Sequence, residues 1–181
     1  MTPPRWSDDV IDRYAAEFGA ADATTRSFVD GLVYGFYDAV LDIGCGTGAA
    51  LRYAIDRFKG FQATGLDLPR MIHHARKASA EYDITYVEGT AEALPFPDAS
   101  FRMVFALNSI HHWVDRQKGL QEVARVLKPS GVFALGGDVF DRTMLPEGQD
   151  YADEMTAVGI PMHHSMITDE GYLFTYGRKV A

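Results

Sequence analysis

A chain of 181 residues with 47% apolar content can bury one substantial core, and its makeup fits neither a disordered nor a fibrous protein. Seventeen basic against twenty-five acidic residues give a formal charge of −8, which opposes loose binding to nucleic-acid phosphates and anionic membranes and favours small-molecule ligands. No run approaches the roughly 20 apolar residues of a membrane span. Met1 to Asp9 lacks a signal-peptide core, and Cys45 is the only cysteine, so a cytoplasmic protein without disulfide or metal is expected.

In chain order, residues 5–37 read as one or two helices, with Val10, Ile11, Tyr14 and Phe18 at helical spacing, Gly19 as a stop and Asp22 to Thr25 as a polar joint. Ala39 to Ile43 is the short apolar run of a strand covered on both faces, and Gly44, Gly46 and Gly48 follow it at every second position. Ala49 to Phe58 is a helix closed by Lys59-Gly60, and Gln62 to Leu68 is the second strand. Pro69 suits the first position of a helix with its body over Met71 to Tyr82, and Arg76 and Lys77 read as its solvated face. Ile84 to Val87 is a third strand, Ala93 to Ser100 a loop and Phe101 to Leu107 a fourth strand. Val114 to Leu127 reads as an amphipathic helix, Lys128 to Gly131 as a tight turn and Val132 to Leu135 as a fifth strand. Tyr151 to Val158 carries two helical turns, and Met162 to Thr168 with Tyr172 to Val180 forms an antiparallel pair around Asp169-Glu170-Gly171. Strands alternating with helices imply an α/β, doubly wound, mostly parallel sheet. Residues 1–37 would be a helical cap and 38–181 the main domain.

The glycine turn narrows the ligand. Gly44, Gly46 and Ala49 satisfy a dinucleotide fingerprint, and Asp67 stands near the distance expected of an acid that binds ribose hydroxyls, so spacing alone leaves an NAD(P) site open. Asp42 separates the two readings. A carboxylate beside the turn repels a pyrophosphate but suits the sulfonium and ammonium of S-adenosylmethionine.

Four segments then carry a resemblance: Val40 to Gly48 (VLDIGCGTG), Gly65 to Leu68 (GLDL), Gly89 to Phe96 (GTAEALPF) and Arg125 to Gly131 (RVLKPSG). From about Val40 to Val139 the chain resembles class I S-adenosylmethionine-dependent methyltransferases of the small-molecule, ubiquinone and sterol methyltransferase-like, type 11 group. The resemblance implies a Rossmann-like seven-stranded sheet whose last strand inserts antiparallel beside the fifth.

Asp67, ending the second strand, is assigned to the cofactor's ribose hydroxyls. Gly44, Cys45, Gly46 and Gly48 form the turn around its aminoacyl part, with Asp42 attracted to the ammonium; Cys45 by itself reads as a small buried turn residue. Leu68 and Met71 either sandwich the adenine or are plain core. The resemblance puts the backbone of Ala91 against the adenine. Thr90 departs from the aspartate usual there, and Glu92 is placed to compensate. Arg102 departs from a common acid and has no functional reading. Asn108 would line the cofactor pocket, and His111 or His112 could take a proton from the acceptor. Methyl transfer from a sulfonium needs positioning more than acid or base help, so the sequence leaves the acceptor atom open.

Segments used by resembling enzymes on planar amides, and a Pro-Cys nucleophile for pyrimidine carbon, are both missing; His163-His164 has no partners spaced for a metal. Trp6, Tyr14, Phe18, Phe28, Tyr34 and Tyr37 crowd the N-terminal segment and either form a lid suited to an apolar or planar acceptor or merely cap the sheet. The span from Asp138 to Met162 is short for a substrate insertion, leaving an open site or one completed by the second subunit of a homodimer. Three functions follow: a small-molecule methyltransferase first, an NAD(P)-linked oxidoreductase second, and an inactive cofactor-binding protein acting through a partner third.

Overall fold

Val40, Leu41 and Ile43 are fully or almost fully buried, and they put β1 (Ala39–Ile43) at the centre of a seven-stranded sheet. The computed structural model describes residues 6–32, 38–138, 151–167 and 172–180. Helices α1 (Asp8–Glu17) and α2 (Ala23–Gly31) precede β1, and α3 (Ala49–Arg57), β2 (Gln62–Asp67), α4 (Pro69–Ala78), β3 (Ile84–Glu88) and β4 (Phe101–Leu107) follow. After a short 3-10 turn at Ile110–His112 come α5 (Arg116–Val126), β5 (Leu127–Asp138), α6 (Tyr151–Ala157), β6 (Met162–Ile167) and β7 (Tyr172–Arg178). The strand order is β3-β2-β1-β4-β5-β7-β6, with β1 to β5 parallel and β7 antiparallel between β5 and β6. This is the doubly wound arrangement with the antiparallel insertion that the resemblance implies.

Period-two alternation feeds two cores. Leu41, Ile43, Val104, Ala106, Phe133 and Leu135 pack with α5 and α6 on one face. Val40, Ala63, Met103, Phe105, Val132 and Ala134 pack with α2, α3 and α4 on the other. Phe28 belongs to this second core, 2% exposed and with its ring 5.6 Å from both Phe105 and Phe174, so it caps the sheet rather than a ligand. Tyr34, Tyr37 and the Asp169-Glu170-Gly171 turn lie outside the described residues.

Three local expectations change. Helix α4 ends at Ala78, short of Tyr82, because the hydroxyl of Ser79 turns inward to Tyr86 at 2.8 Å and Arg52 at 3.0 Å. Val114 lies outside α5 and is 96% exposed; Asp115 caps that helix by accepting from the Lys118 N–H. Lys128 to Gly131 is not a separate turn. It loops out within β5, between Leu127 paired with Phe101 and Val132 paired with Met103, with Ser130 in the left-handed region. Three of the carbonyls in and beside this loop are met by cations: Arg102 donates to Pro129, Arg178 to Ser130 and Lys179 to Leu127. That gives Arg102 a structural role. Arg76 is exposed, as a solvated face requires, and it also donates to the Tyr86 carbonyl at 3.0 Å and pairs with Glu88, fastening α4 to edge strand β3.

Candidate functional site

The carboxyl ends of β1, β2 and β4 converge on the glycine turn, the edge at which open parallel sheets take ligands. Gly44, Gly46 and Gly48 all have positive φ, at 74°, 54° and 75°. Two of them are required by the protein's own packing. A β-carbon on Gly44 would stand 2.1 Å from the Ser109 hydroxyl, and one on Gly48 1.9 Å from the Tyr86 hydroxyl. At Gly46 a β-carbon would meet only the Tyr14 ring, at 3.6 Å, so Gly46 is where the turn's surface stays accessible beneath α1.

Asp67 closes the turn from β2. Its carboxylate accepts from the Gly46 N–H at 2.8 Å and from the Leu68 N–H at 2.7 Å. Burial pushes its carboxyl up to about 6 against the pull of those donors. Asp42, at the end of β1, is 2% exposed and accepts no hydrogen bond among the described residues. Burial, and then the neighbouring Asp67 charge, push its carboxyl well above the usual carboxylate range. Two carboxylates sharing one buried space, one of them without a donor, favour a cation between or beside them. Burial likewise raises the Cys45 thiol, which leaves it a protonated packing group.

The remaining sequence-predicted residues lie just beyond the carboxyl ends of β2, β3 and β4. Leu68 is half-buried and Met71 is 3% exposed, packed under the start of α4. Ala91 is buried and Thr90 is exposed. Glu92 in turn accepts from the Val114 N–H at 2.7 Å and the Asp115 N–H at 3.2 Å, so one of its oxygens fastens this loop to the segment after β4. Asn108 has φ +50° and donates its N–H to Gly136; its amide oxygen sits where a β-carbon on Gly137 would be 2.8 Å away. Ser109 receives the Trp113 indole N–H at 3.1 Å.

His111 and His112 stack at 3.9 Å between ring centroids. A row of rings continues from them: His112 to Trp6 at 4.9 Å, Trp6 to Tyr14 at 5.6 Å, and Tyr14 to Phe18 at 4.7 Å. It crosses from the segment after β4 to the glycine turn.

Several site groups had no sequence signal. The Thr47 hydroxyl donates to the Phe18 carbonyl at 3.0 Å, and Arg52 donates to Gly19 at 2.6 Å and to Thr47. Asp12 receives Arg70 through two bonds, at 2.8 and 2.7 Å, and meets His74 at 2.7 Å. Arg70 holds the Asp12 carboxyl far below its ordinary value, with His74 adding to the effect. Helix α1 is thus fastened on both sides of Tyr14, to α4 before it and to the turn and α3 after it. Only Thr47, inside the glycine turn, stands at a position the motif marks.

A family model described as a methyltransferase domain matches residues 41–135, from β1 into β5. The chain belongs to that family. Curated methyltransferases similar to it include the 27-O-demethylrifamycin SV methyltransferase of Amycolatopsis mediterranei, 40% identical over 103 residues, which are 55% of this chain and 38% of that protein. The fatty-acid O-methyltransferase of Mycolicibacterium smegmatis is 34% identical over 148 residues, 81% of this chain and 51% of that protein. This methyltransferase-family chain therefore spans about half or less of the length of these relatives. Among solved structures, a methyltransferase in complex with an activator from Haloferax volcanii superposes with a TM-score of 0.81 at 23% identity, covering 96% of both chains. A SAM-dependent methyltransferase from Aquifex aeolicus gives 0.76 at 16% identity, covering 97% of this chain and all of the other. These likenesses carry the fold.

Proposed function

We propose that this chain is an S-adenosylmethionine-dependent methyltransferase acting on a small-molecule acceptor. The observation that carries the reading is the pair Asp42, buried, and Asp67, half-buried, at the ends of adjoining parallel strands with a left-handed glycine turn beside them. The donor set fits the cofactor: Asp67 for the ribose hydroxyls, Asp42 for the ammonium, and Gly44 to Gly48 for close backbone approach. The Ala91 backbone, Leu68 and Met71 would hold the adenine, and Asn108 would line the pocket. Bound there, S-adenosylmethionine supplies an electrophilic methyl on a cationic sulfonium. The chain's own part is to orient the acceptor and exclude water, with His111 or His112 receiving the acceptor's proton. Helix α1 acts as the cap over residues 38–181. The same reading includes a cytoplasmic location and a site that is either open or completed by a second copy. Among the described residues no helix is long and apolar enough to cross a membrane.

Calorimetric titration with S-adenosylhomocysteine and with NADPH tests the reading. Heat is expected only with the former; NADPH binding without S-adenosylhomocysteine binding overturns it. The affinity should fall as pH falls through about 6, because Asp67 then takes up a proton and loses its charge toward the ribose hydroxyls. The linkage runs the other way for the unliganded protein. A carboxyl raised from 3.8 to about 6 on folding contributes stability that is present below 3.8 and lost as pH rises through about 6. Unliganded protein should lose stability from this group over the same interval in which ligand affinity rises.

The fastening of α1 gives a kinetic expectation. Arg70→Gln removes the two-pronged bond to Asp12, an exposed pair that anchors α1 more than it stabilises the fold. Stopped-flow measurement should show S-adenosylhomocysteine leaving about 3- to 10-fold faster, with little change in melting temperature. An unchanged dissociation rate would remove α1 from cofactor retention.

A further inference from the structure

We infer that the cofactor enters this site by proton exchange: the unliganded site holds a neutral Asp42 carboxyl, and the cofactor's ammonium displaces that proton to form an ion pair. The inference rests on the methyltransferase reading and adds a linked reaction to its binding step.

The two carboxyls of the site are provided for unequally. Asp67 accepts from the Gly46 N–H at 2.8 Å and the Leu68 N–H at 2.7 Å, so its charge has donors in the folded protein. Asp42 stands on the adjoining strand, opposite Gly65 of β2 and Phe105 of β4. It is 2% exposed, and its carboxyl accepts no hydrogen bond among the described residues. A carboxyl withdrawn from water with neither donor nor counter-charge keeps its proton, because the ionised form has nothing to replace its lost hydration.

The groups around Asp42 do not make good what it lacks. Asp67 from β2, Cys45 in the turn, Tyr14 from α1 and Tyr86 from β3 stand within electrostatic reach of it, and all four are acids. Phe105, its neighbour on the β4 side, carries no charge. Arg52, the cation joined to the turn, keeps its charge but donates to the Thr47 and Gly19 carbonyls and to Ser79; what acts on the Asp42 carboxyl is burial and then the Asp67 charge. An arriving ammonium brings both missing things, N–H donors and a positive charge. The exchange balances at one proton: it leaves an Asp42 carboxyl oxygen for solvent, while the ammonium keeps its own three. Asp67, held by backbone donors and ionised at neutral pH, takes no part in it.

Calorimetric titration of S-adenosylhomocysteine in buffers of different ionisation enthalpy counts the proton. It is run at about pH 7.5, where Asp67, with its carboxyl at about 6, has already given up nearly all of its own. Wild type is expected to release about half a proton or more per ligand bound, and Asp42→Asn about none, with binding about tenfold weaker in the variant. Carbon-13 spectra of aspartate-labelled wild type, with the Asp42 line assigned through its backbone resonances, read the carboxyl directly and do not depend on the variant's folding. That line should be protonated without ligand, ionised with S-adenosylhomocysteine, and still protonated with saturating methylthioadenosine, which has the adenosine part but no ammonium. Binding of S-adenosylhomocysteine with a smaller proton release, equal release from Asp42→Asn, an Asp42 line ionised without ligand, or ionisation by methylthioadenosine each overturns the inference and leaves the methyltransferase reading standing. No binding of S-adenosylhomocysteine overturns both.

Discussion

Asp67→Ala is expected to weaken S-adenosylhomocysteine binding by roughly 100-fold, the largest effect of any side-chain truncation in the site. Hydrogen bonds to an ionised group contribute about 1.5 to 3 kcal/mol each, and two ribose hydroxyls would lose their acceptor together. The variant also frees the N–H groups of Gly46 and Leu68, both now held by the same carboxylate, so the turn loses the group that fixes its approach to the ligand. Stability should move much less than affinity. Burial already makes the charged form of Asp67 unfavourable, so removing it relieves that cost while forfeiting two hydrogen bonds. Asp67→Asn, with one acceptor oxygen in place of two, should fall between wild type and alanine. Titration calorimetry beside thermal melts at neutral pH separates these contributions. An affinity for Asp67→Ala within a few-fold of wild type would take Asp67 out of the cofactor site.

The parts of this molecule that were legible in the sequence are those whose physical cause is local. Phe101 to Leu107 reads as a strand and is β4 to the residue, because its apolar side chains alternate between two buried faces and prolines precede it. Pro69 starts α4 and Gly60 ends the α3 connection for reasons carried by single residues. The glycine turn and Asp67 were equally visible, since strand, turn and acid lie within one βαβ unit.

What was not legible depends on partners far apart in the chain. Asp12 and Arg70 are 58 positions apart, and nothing in either segment points to the other. Val114 looks like the first apolar position of a helix, yet the Glu92 carboxylate holds its N–H outside α5 and leaves the side chain in solvent. Lys128 to Gly131 has turn chemistry, and it does loop out; that β5 begins before it, at Leu127, depends on pairing with Phe101 of β4. Phe28 was grouped with the N-terminal aromatics by composition, while its depth against Phe105 and Phe174 is set by the sheet beneath it. The same limit applies to the three glycines: their spacing suggests a ligand cradle, but the atoms that forbid a side chain at Gly44 and Gly48 are those of Ser109 and Tyr86.

Gly48→Ala should therefore be the most destabilising small substitution in the turn, for a reason independent of any ligand. Gly48 has φ 75°, and an alanine methyl there would lie 1.9 Å from the Tyr86 hydroxyl and 2.9 Å from the ring carbon bearing it. The ring has little room to retreat: Tyr86 is 8% exposed, its hydroxyl is 2.8 Å from Ser79, and Ser79 is held by Arg52 at 3.0 Å. Left-handed strain of about 1 kcal/mol and overpacking of about 1 to 3 kcal/mol together predict a loss of roughly 3 kcal/mol. For a domain of this size that lowers the melting temperature by about 6 to 12 °C. Gly60→Ala is the matched control, because Gly60 has φ 87° with nothing within 4 Å of an added β-carbon, so it carries only the backbone strain. Adding Tyr86→Phe to Gly48→Ala removes the nearest clashing atom and should recover about half of the excess loss, after allowance for the Ser79 bond that Tyr86→Phe forfeits on its own. Equal melting temperatures for Gly48→Ala and Gly60→Ala would show that Tyr86 yields to the methyl, and would return Gly48 to the ligand-facing role that its spacing first suggests.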